Sequence, residues 1–366
     1  MKNKISFFIT VITLSVIFNL LTQSSSEAAA TGCVKTDDGT AIKVTAGANM
    51  FKLAGTSTAV NQCSQEPDEY KVKFYKVALC TADPYKGAAD PDFSSCSDIF
   101  NNTDGVDKII KPNTETNLLE GDLVLPRGTY PYLVVLVNNQ LHVKHKQKYI
   151  LTNGEDATFY GNTDGSGTYC WTIPVVTTYT TYSATDGGTM DDEPPAYGFD
   201  YNRAQGVTLK ESGPGATNAQ LKCGDVNAAD MDFATEIIDD LADDPGEEVY
   251  RAHFDYKDAE ADTGITGIDM AQNLIEDDNV TLAATAIKAK RLLSHFKYTS
   301  PVVISENTVG FKMRFSTFSS VSLDFDSDGT GGSFKMWGAK VGADPFMVQV
   351  QTKERRSRRA RAGDWR

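Results

Sequence analysis

Hydrophobic and polar residues alternate through most of this chain, and a period of two marks a strand with one buried face. In "YKVKFYKVALC" the apolar positions run Tyr70, Val72, Phe74 and then shift phase to Tyr75, Val77, Leu79. The slip predicts a strand with a bulge near Phe74 and Tyr75. In "YLVVLV", Leu133, Val135 and Val137 face one way, and Tyr132, Val134 and Leu136 the other. A strand apolar on both faces belongs in the middle of a sheet covered on both sides. The "NNQ" at 138–140 reads as a turn, with "LHVKHKQKYIL" returning as the partner strand. "ATFYG", "YCWTIPVVTTYTTYS", "VGFKMRFSTF", "VSLDF", "SFKMWGAKV" and "FMVQVQ" add further short strands. Between them lie Gly/Asp/Asn turns such as "NNTDG", "GNTDGSGT" and "DSDGTGG". This spacing predicts a mainly β fold, an antiparallel β-sandwich with Greek-key connections. An outer-membrane barrel needs longer, more regular strands with a lipid-facing apolar side.

Two stretches interrupt the alternation. Residues 186–222 are rich in Gly, Pro, Asp and Thr and read as a loop or linker. In "AADMDFATEIIDDLADD", Met231, Phe233, Ile237, Ile238 and Leu241 fall near helical spacing, and "PG" follows. "TLAATAIKAKRLLSHFKY" fits a second helix, or a strand over its last half. Residues 223–300 are therefore expected to form an acidic, partly helical insertion or cap. It sits between an N-terminal β-sandwich region, 31–185, and C-terminal strands, 301–352, that complete the sandwich or make a second small β domain. Residues 353–366 are a basic, disordered tail.

The N-terminus changes the picture of where this fold resides. Lys2 and Lys4 precede an apolar run from Ile5 to Leu21, and Ala28 and Ala30 form a small-x-small exit. That is the pattern of a secretory signal peptide over 1–30, with Thr31 as the new N-terminus. An uncleaved anchor and a lipid-modified Cys33 are the alternatives. No later segment is apolar enough to span a membrane. The six cysteines, Cys33, Cys63, Cys80, Cys96, Cys170 and Cys223, all follow the cleavage point. In an exported chain an even number reads as disulfides, here three, with the sequential pairing preferred among the many that six allow. Cys80 ends a predicted strand, and Cys96 would pin the far end of a polar loop. Zinc ligation would need a CxxC pair or a nearby His, and neither is present. The net charge is −14 although the tail "KERRSRRARAGDWR" carries seven basic residues and two acidic ones. An acidic exported body excludes nucleic acid as the expected partner. The tail reads as an arm for an anionic surface or another copy's acidic face, or as a non-native end.

Candidate chemistry is sparse. The chain has no GxSxG elbow, HExxH, GxxxxGK[ST] or helix-opening GxGxxG. Of the four histidines, His142, His145, His253 and His295, the first two form "HVKH". Three residues apart on a strand they point to opposite faces, so one cation does not easily meet both. Asp324, Asp326, Asp328 and Gly329 have the D-x-D-x-D-G order of a calcium loop, but Lys335 stands where an EF-hand places its Glu. Calcium is the sole candidate cofactor. Tyr179, Tyr182, Tyr197, Phe199 and Tyr201 could stack on sugars, or serve simply as strand formers.

"YKVKFYKVALC…SSC", "GDLVLPRGTYPYLVVLVNN" and "SPVVISENTVGFKMRFSTFSSVSLDFD" resemble uncharacterised exported β-rich proteins of marine bacteria. The last two are also similar to a domain of unknown function in bacterial exported lipoproteins. There a P-x-G-x-Y segment, matched by Pro126, Gly128 and Tyr130, opens the central strand of a transthyretin-like sandwich. The resemblance implies an extracytoplasmic β-sandwich and no known reaction. The function expected is non-enzymatic: a structural, adhesive or binding protein of the periplasm or cell surface, with cell-surface, self-assembly or glycan partners. The alternative is a secreted protein that binds or hydrolyses carbohydrate.

Overall fold

The computed structural model describes residues 33–45, 51–52, 59–60, 62–112, 114, 116, 125–160, 166–178, 221–225, 230–241, 250–258, 266–316, 321–327, 336–343 and 347–354. The strands begin with β1 (Ala41–Val44), β2 (Phe51–Lys52), β3 (Ala59–Val60), β4 (Gln62–Gln65), β5 (Glu69–Cys80), β6 (Cys96–Ile110), β7 (Gly128–Asn138) and β8 (Gln140–Lys144). Next come β9 (Lys146–Leu151), β10 (Phe159–Tyr160), β11 (Ser166–Gly167), β12 (Tyr169–Thr172), β13 (Val176–Thr178), β14 (Leu221–Gly224) and β15 (Ala234–Ile237). The last are β16 (His253–Asp258), β17 (Ile268–Ile275), β18 (Arg291–Ile304), β19 (Thr308–Ser316), β20 (Val321–Ser327), β21 (Met336–Ala343) and β22 (Met347–Glu354).

The largest sheet runs β13-β15-β8-β5-β7-β18-β17-β16, with β6 along the other edge of β5. A second sheet runs β14-β12-β9-β1-β2-β3, a third β11-β10-β21-β20-β4, and β19 pairs with β22. Most pairings are antiparallel, as short loops require. One hydrophobic core collects side chains from all four sheets, including Ile42, Phe51, Phe74, Leu133, Tyr149, Phe159, Phe296, Val321 and Val348. β20 pairs with β4 and β21 with β10, so the C-terminal strands are hydrogen-bonded to N-terminal ones.

β7 is central, between β5 and β18, with Leu133, Val135 and Val137 in the main core and Val134 and Leu136 on the opposite face. Its entry explains the P-x-G-x-Y pattern. The Tyr130 ring folds back so that its hydroxyl donates to the Pro126 carbonyl at 2.7 Å. A Cβ on Gly128 would stand 3.3 Å from that ring. The register slip between Phe74 and Lys76 occurs against both β6 and β7, which puts Phe74 in the main core and Tyr75 on the other face.

Two turn assignments are corrected. "NNQ" does not reverse the chain: β8 continues past β7 along β5, and Glu69, Tyr70 and Lys71 face Lys144, Val143 and His142. The kink is held by buried Asn139, whose side-chain amide donates to the Ile238 and Ala289 carbonyls, both at 3.1 Å. "NNTDG" lies inside β6, where the register jumps between Asn101 and Val106 opposite Tyr75. Gly105 adopts φ +72° there, and a Cβ would come within 2.7 Å of the Tyr75 ring. Only glycine combines that φ with that approach.

The partly helical insertion is also corrected. Among the described residues of 223–300 the sole helical turn is the 3-10 segment Ala286–Lys288. Ala234–Ile237 is a strand buried on both faces between β13 and β8, with β-branched Thr235 and Ile237 inside it. A short run apolar on both sides satisfies helical spacing and buried-strand spacing alike, and sheet pairing decided between them. Arg291–Ile304 takes the strand alternative for the second segment.

The cysteines pair sequentially: Cys33–Cys63, Cys80–Cys96 and Cys170–Cys223. Cys80 and Cys96 face each other across β5 and β6. The loop between them folds over the second apolar face of the large sheet. There Phe93 packs on a cluster of Tyr75, Ala78, Cys80, Val134, Leu136, Ile275 and Leu293. Its polar residues tie it down: Asp90 accepts from the Leu282 N–H at 2.7 Å, and the Gly87 carbonyl accepts from Asn273 at 3.3 Å. A bridge closing a loop of this length stabilises by about 3 kcal/mol.

Candidate functional site

Beside that cap the same outer face carries charge. In β5, Tyr70 and Val72 point into the core, which turns Lys71 and Lys73 outward. In β8 and β9, buried Val143, His145, Gln147 and Tyr149 alternate with outward Lys144, Lys146 and Lys148. Pairing then brings rings alongside. Tyr169 lies opposite Lys148 on β12, and Phe233 lies two residues before Thr235, the partner of His142.

The result is three rings, each flanked by two cations. Phe233 has the Lys71 ammonium 4.9 Å and the Lys144 ammonium 5.6 Å from its centroid. Tyr169 has Lys146 at 5.4 Å and Lys148 at 5.8 Å. Tyr75 has the Arg291 guanidinium at 3.8 Å and Lys73 at 5.9 Å. Each contact to the half-buried Phe233 and Tyr169 rings is worth about 0.5–1 kcal/mol, while Tyr75 is buried beneath the cap. Two ammonium groups about 8 Å apart in water repel by roughly 0.5 kcal/mol, so the rings suffice to hold like charges together. Among the described residues no carboxylate stands within ion-pair distance of Lys71, Lys73, Lys144 or Lys146, whereas Lys148 has Asp156 at 3.4 Å. His142 reports the local field: burial, then the Lys71 charge, pushes its imidazole down to about 4. Its Nδ1 sits 2.7 Å from the Thr235 hydroxyl.

The other histidines do not gather. His145 is buried at the corner where the chain passes from β8 to β9, and neither ring nitrogen has a hydrogen-bond partner. His295 is buried on β18, with Nε2 2.8 Å from the Asn273 side-chain oxygen. His253 lies on β16, beside a cleft of about 560 Å³ lined also by Tyr250, Arg251, Phe254 and Lys257. Among the described residues no group of three or more His, Cys, Asp or Glu is placed to hold a metal ion. Asp324 and Asp326 lie within paired strand β20, opposite Lys340 and Trp337, and Asp328 is outside the described residues. Tyr179, Tyr182, Tyr197, Phe199 and Tyr201 are outside them too.

Two carboxylates missed in the sequence meet at the rim of the cap. The Tyr85 hydroxyl donates to Asp255 at 2.6 Å, and the Tyr256 hydroxyl donates to Asp83 at 3.0 Å. The two rings meet edge to face with centroids 5.3 Å apart. Burial and the carboxylates push both phenols above their ordinary range. These crossed bonds fasten the loop to β16. The cationic row did have a sequence signal, the alternating lysines of "KVKF" and "KHKQK"; the rings that accompany them come from distant segments. No family model, curated protein or solved structure matches the chain.

Proposed function

We propose that the protein is exported and acts as a non-enzymatic binding or adhesive protein of the periplasm or cell surface, using a sheet face for recognition. Three disulfides and a leader-like N-terminus support export. Sheets gathered around one core support a β-sandwich, in keeping with the transthyretin-like resemblance. The single observation that carries the reading is the row of rings and cations built on rigid strands, since a site on strands is pre-organised and loses little entropy on binding. The test is retention of the purified mature protein on bacterial envelope material, with soluble sugar ends measured in parallel. Retention without turnover is expected. Release of reducing ends, abolished by one Asp or Glu substitution, would replace this reading with carbohydrate hydrolysis.

A further inference from the structure

The large sheet and the second sheet share one outer surface because the chain runs without reversal from β8 into β9. The lysines of that ribbon, Lys144, Lys146 and Lys148, alternate along it at a spacing of roughly 7 Å. Lys71 and Lys73 lie on the neighbouring strand β5, and Arg291 on β18 reaches the same row through Tyr75. The cations thus form a track that crosses several strands, with the half-buried Phe233 and Tyr169 rings set between them and Tyr75 buried beneath its Arg291 end. It is long and narrow, so its complement is a chain rather than a compact ion.

We infer that this track binds a linear acidic polysaccharide, one bearing carboxylate or sulfate groups at intervals along its length. The inference rests on the binding reading above and names its ligand. Three features select the ligand. The positions are cationic on a chain whose net charge is −14, so the partner is anionic and engages locally rather than through the long-range field. Asp107 opposite Lys73 and Glu69 opposite Lys144 punctuate the cations. Glu69 is itself paired with the Lys111 ammonium at 2.7 Å, so the row stays net positive along its length and matches a chain that carries an anionic group on successive sugar units. The half-buried Phe233 and Tyr169 rings give apolar surface between the charges, which suits the C–H faces of sugar rings. Nucleic acid meets the first feature as well; an exported protein meets polysaccharide in its place, and the oligothymidylate arm separates the two.

The experiment passes the full mature protein over four immobilised polymers: alginate, dextran sulfate, unsubstituted dextran and oligothymidylate. Binding is expected to alginate, dextran sulfate or both, to weaken about tenfold or more on raising salt, and to be absent on dextran. The double variant Lys144→Glu/Lys146→Glu is expected to lose at least about tenfold in affinity, while Lys312→Glu, on β19, keeps wild-type affinity. Far-ultraviolet circular dichroism checks that both variants are folded. Phe233→Leu keeps an apolar side chain and removes the ring; it is expected to weaken binding several-fold with the salt dependence retained. Equal or tighter binding to oligothymidylate, equal binding to dextran, or undiminished binding by the folded double variant each overturns the inference. Envelope retention is measured on the same double variant. If retention survives while acidic polymers fail, the ligand is wrong and the binding reading stands; if wild-type protein is not retained at all, the binding reading itself fails.

Discussion

His145 gives the sharpest test of the structure by pH. Its ring is fully enclosed and lacks hydrogen bonds, and burial, with a smaller contribution from the Lys35 charge, pushes its pKa from 6.5 down to about 4. The unfolded chain takes up this proton near pH 6.5 and the folded one does not until about 4. Between those values the unfolded state binds more protons, so stability falls as pH falls. The contribution is intact above about 6.5, declines through the window and is fully lost below about 4. One pKa unit is about 1.4 kcal/mol, so the loss is roughly 3 kcal/mol. That is an upper figure, because the Asp68 carboxylate stands 4.0 Å from Nδ1 and compensates part of the charge. Burial raises the Asp68 pKa, which by itself acts in the opposite sense over the same acid range. His145→Leu isolates the imidazole. It breaks no side-chain hydrogen bond, and the backbone bonds joining residue 145 to Thr172 remain. Its packing cost, about 1 kcal/mol, does not depend on pH. Denaturant midpoints at pH 7.5 and 4 should show wild type losing roughly 3 kcal/mol more than the variant. Parallel pH profiles for the two proteins would refute the enclosed, unpartnered ring.

Further outcomes follow from the cap, the strand entry and the leader. Cys80→Ala/Cys96→Ala should lower stability by about 3 kcal/mol, and limited proteolysis should cut first within 81–95. Tyr130→Phe, which leaves the Pro126 carbonyl without its donor, should cost about 1 kcal/mol by denaturant titration. The mature exported protein should begin at Thr31 by intact mass, and unchanged mass from Met1 would remove the cleavage argument.

The parts legible in the sequence are those fixed by local period. The bulge at Tyr75 showed as a phase slip, and the two-sided strand at Leu133–Val137 as unbroken apolarity. Where local pattern is ambiguous, distant pairing decided. Ala234–Ile237 is a strand because β8 and β13 flank it, and the "NNQ" kink stays open because β5 extends past it and Asn139 finds carbonyls far along the chain. The site follows the same division. Lysine alternation was on the page, but Phe233 is far from Lys71 and Lys144 in sequence, and nothing in either segment announces the other.

The unreversed ribbon from Gly128 to Leu151 has a mechanical consequence. Ladder hydrogen bonds lie across the strands, so a tug along this ribbon loads many of them in shear at once instead of peeling them singly. An anchor grasped at its lysines would therefore share tension between two sheets before any one rung gives way.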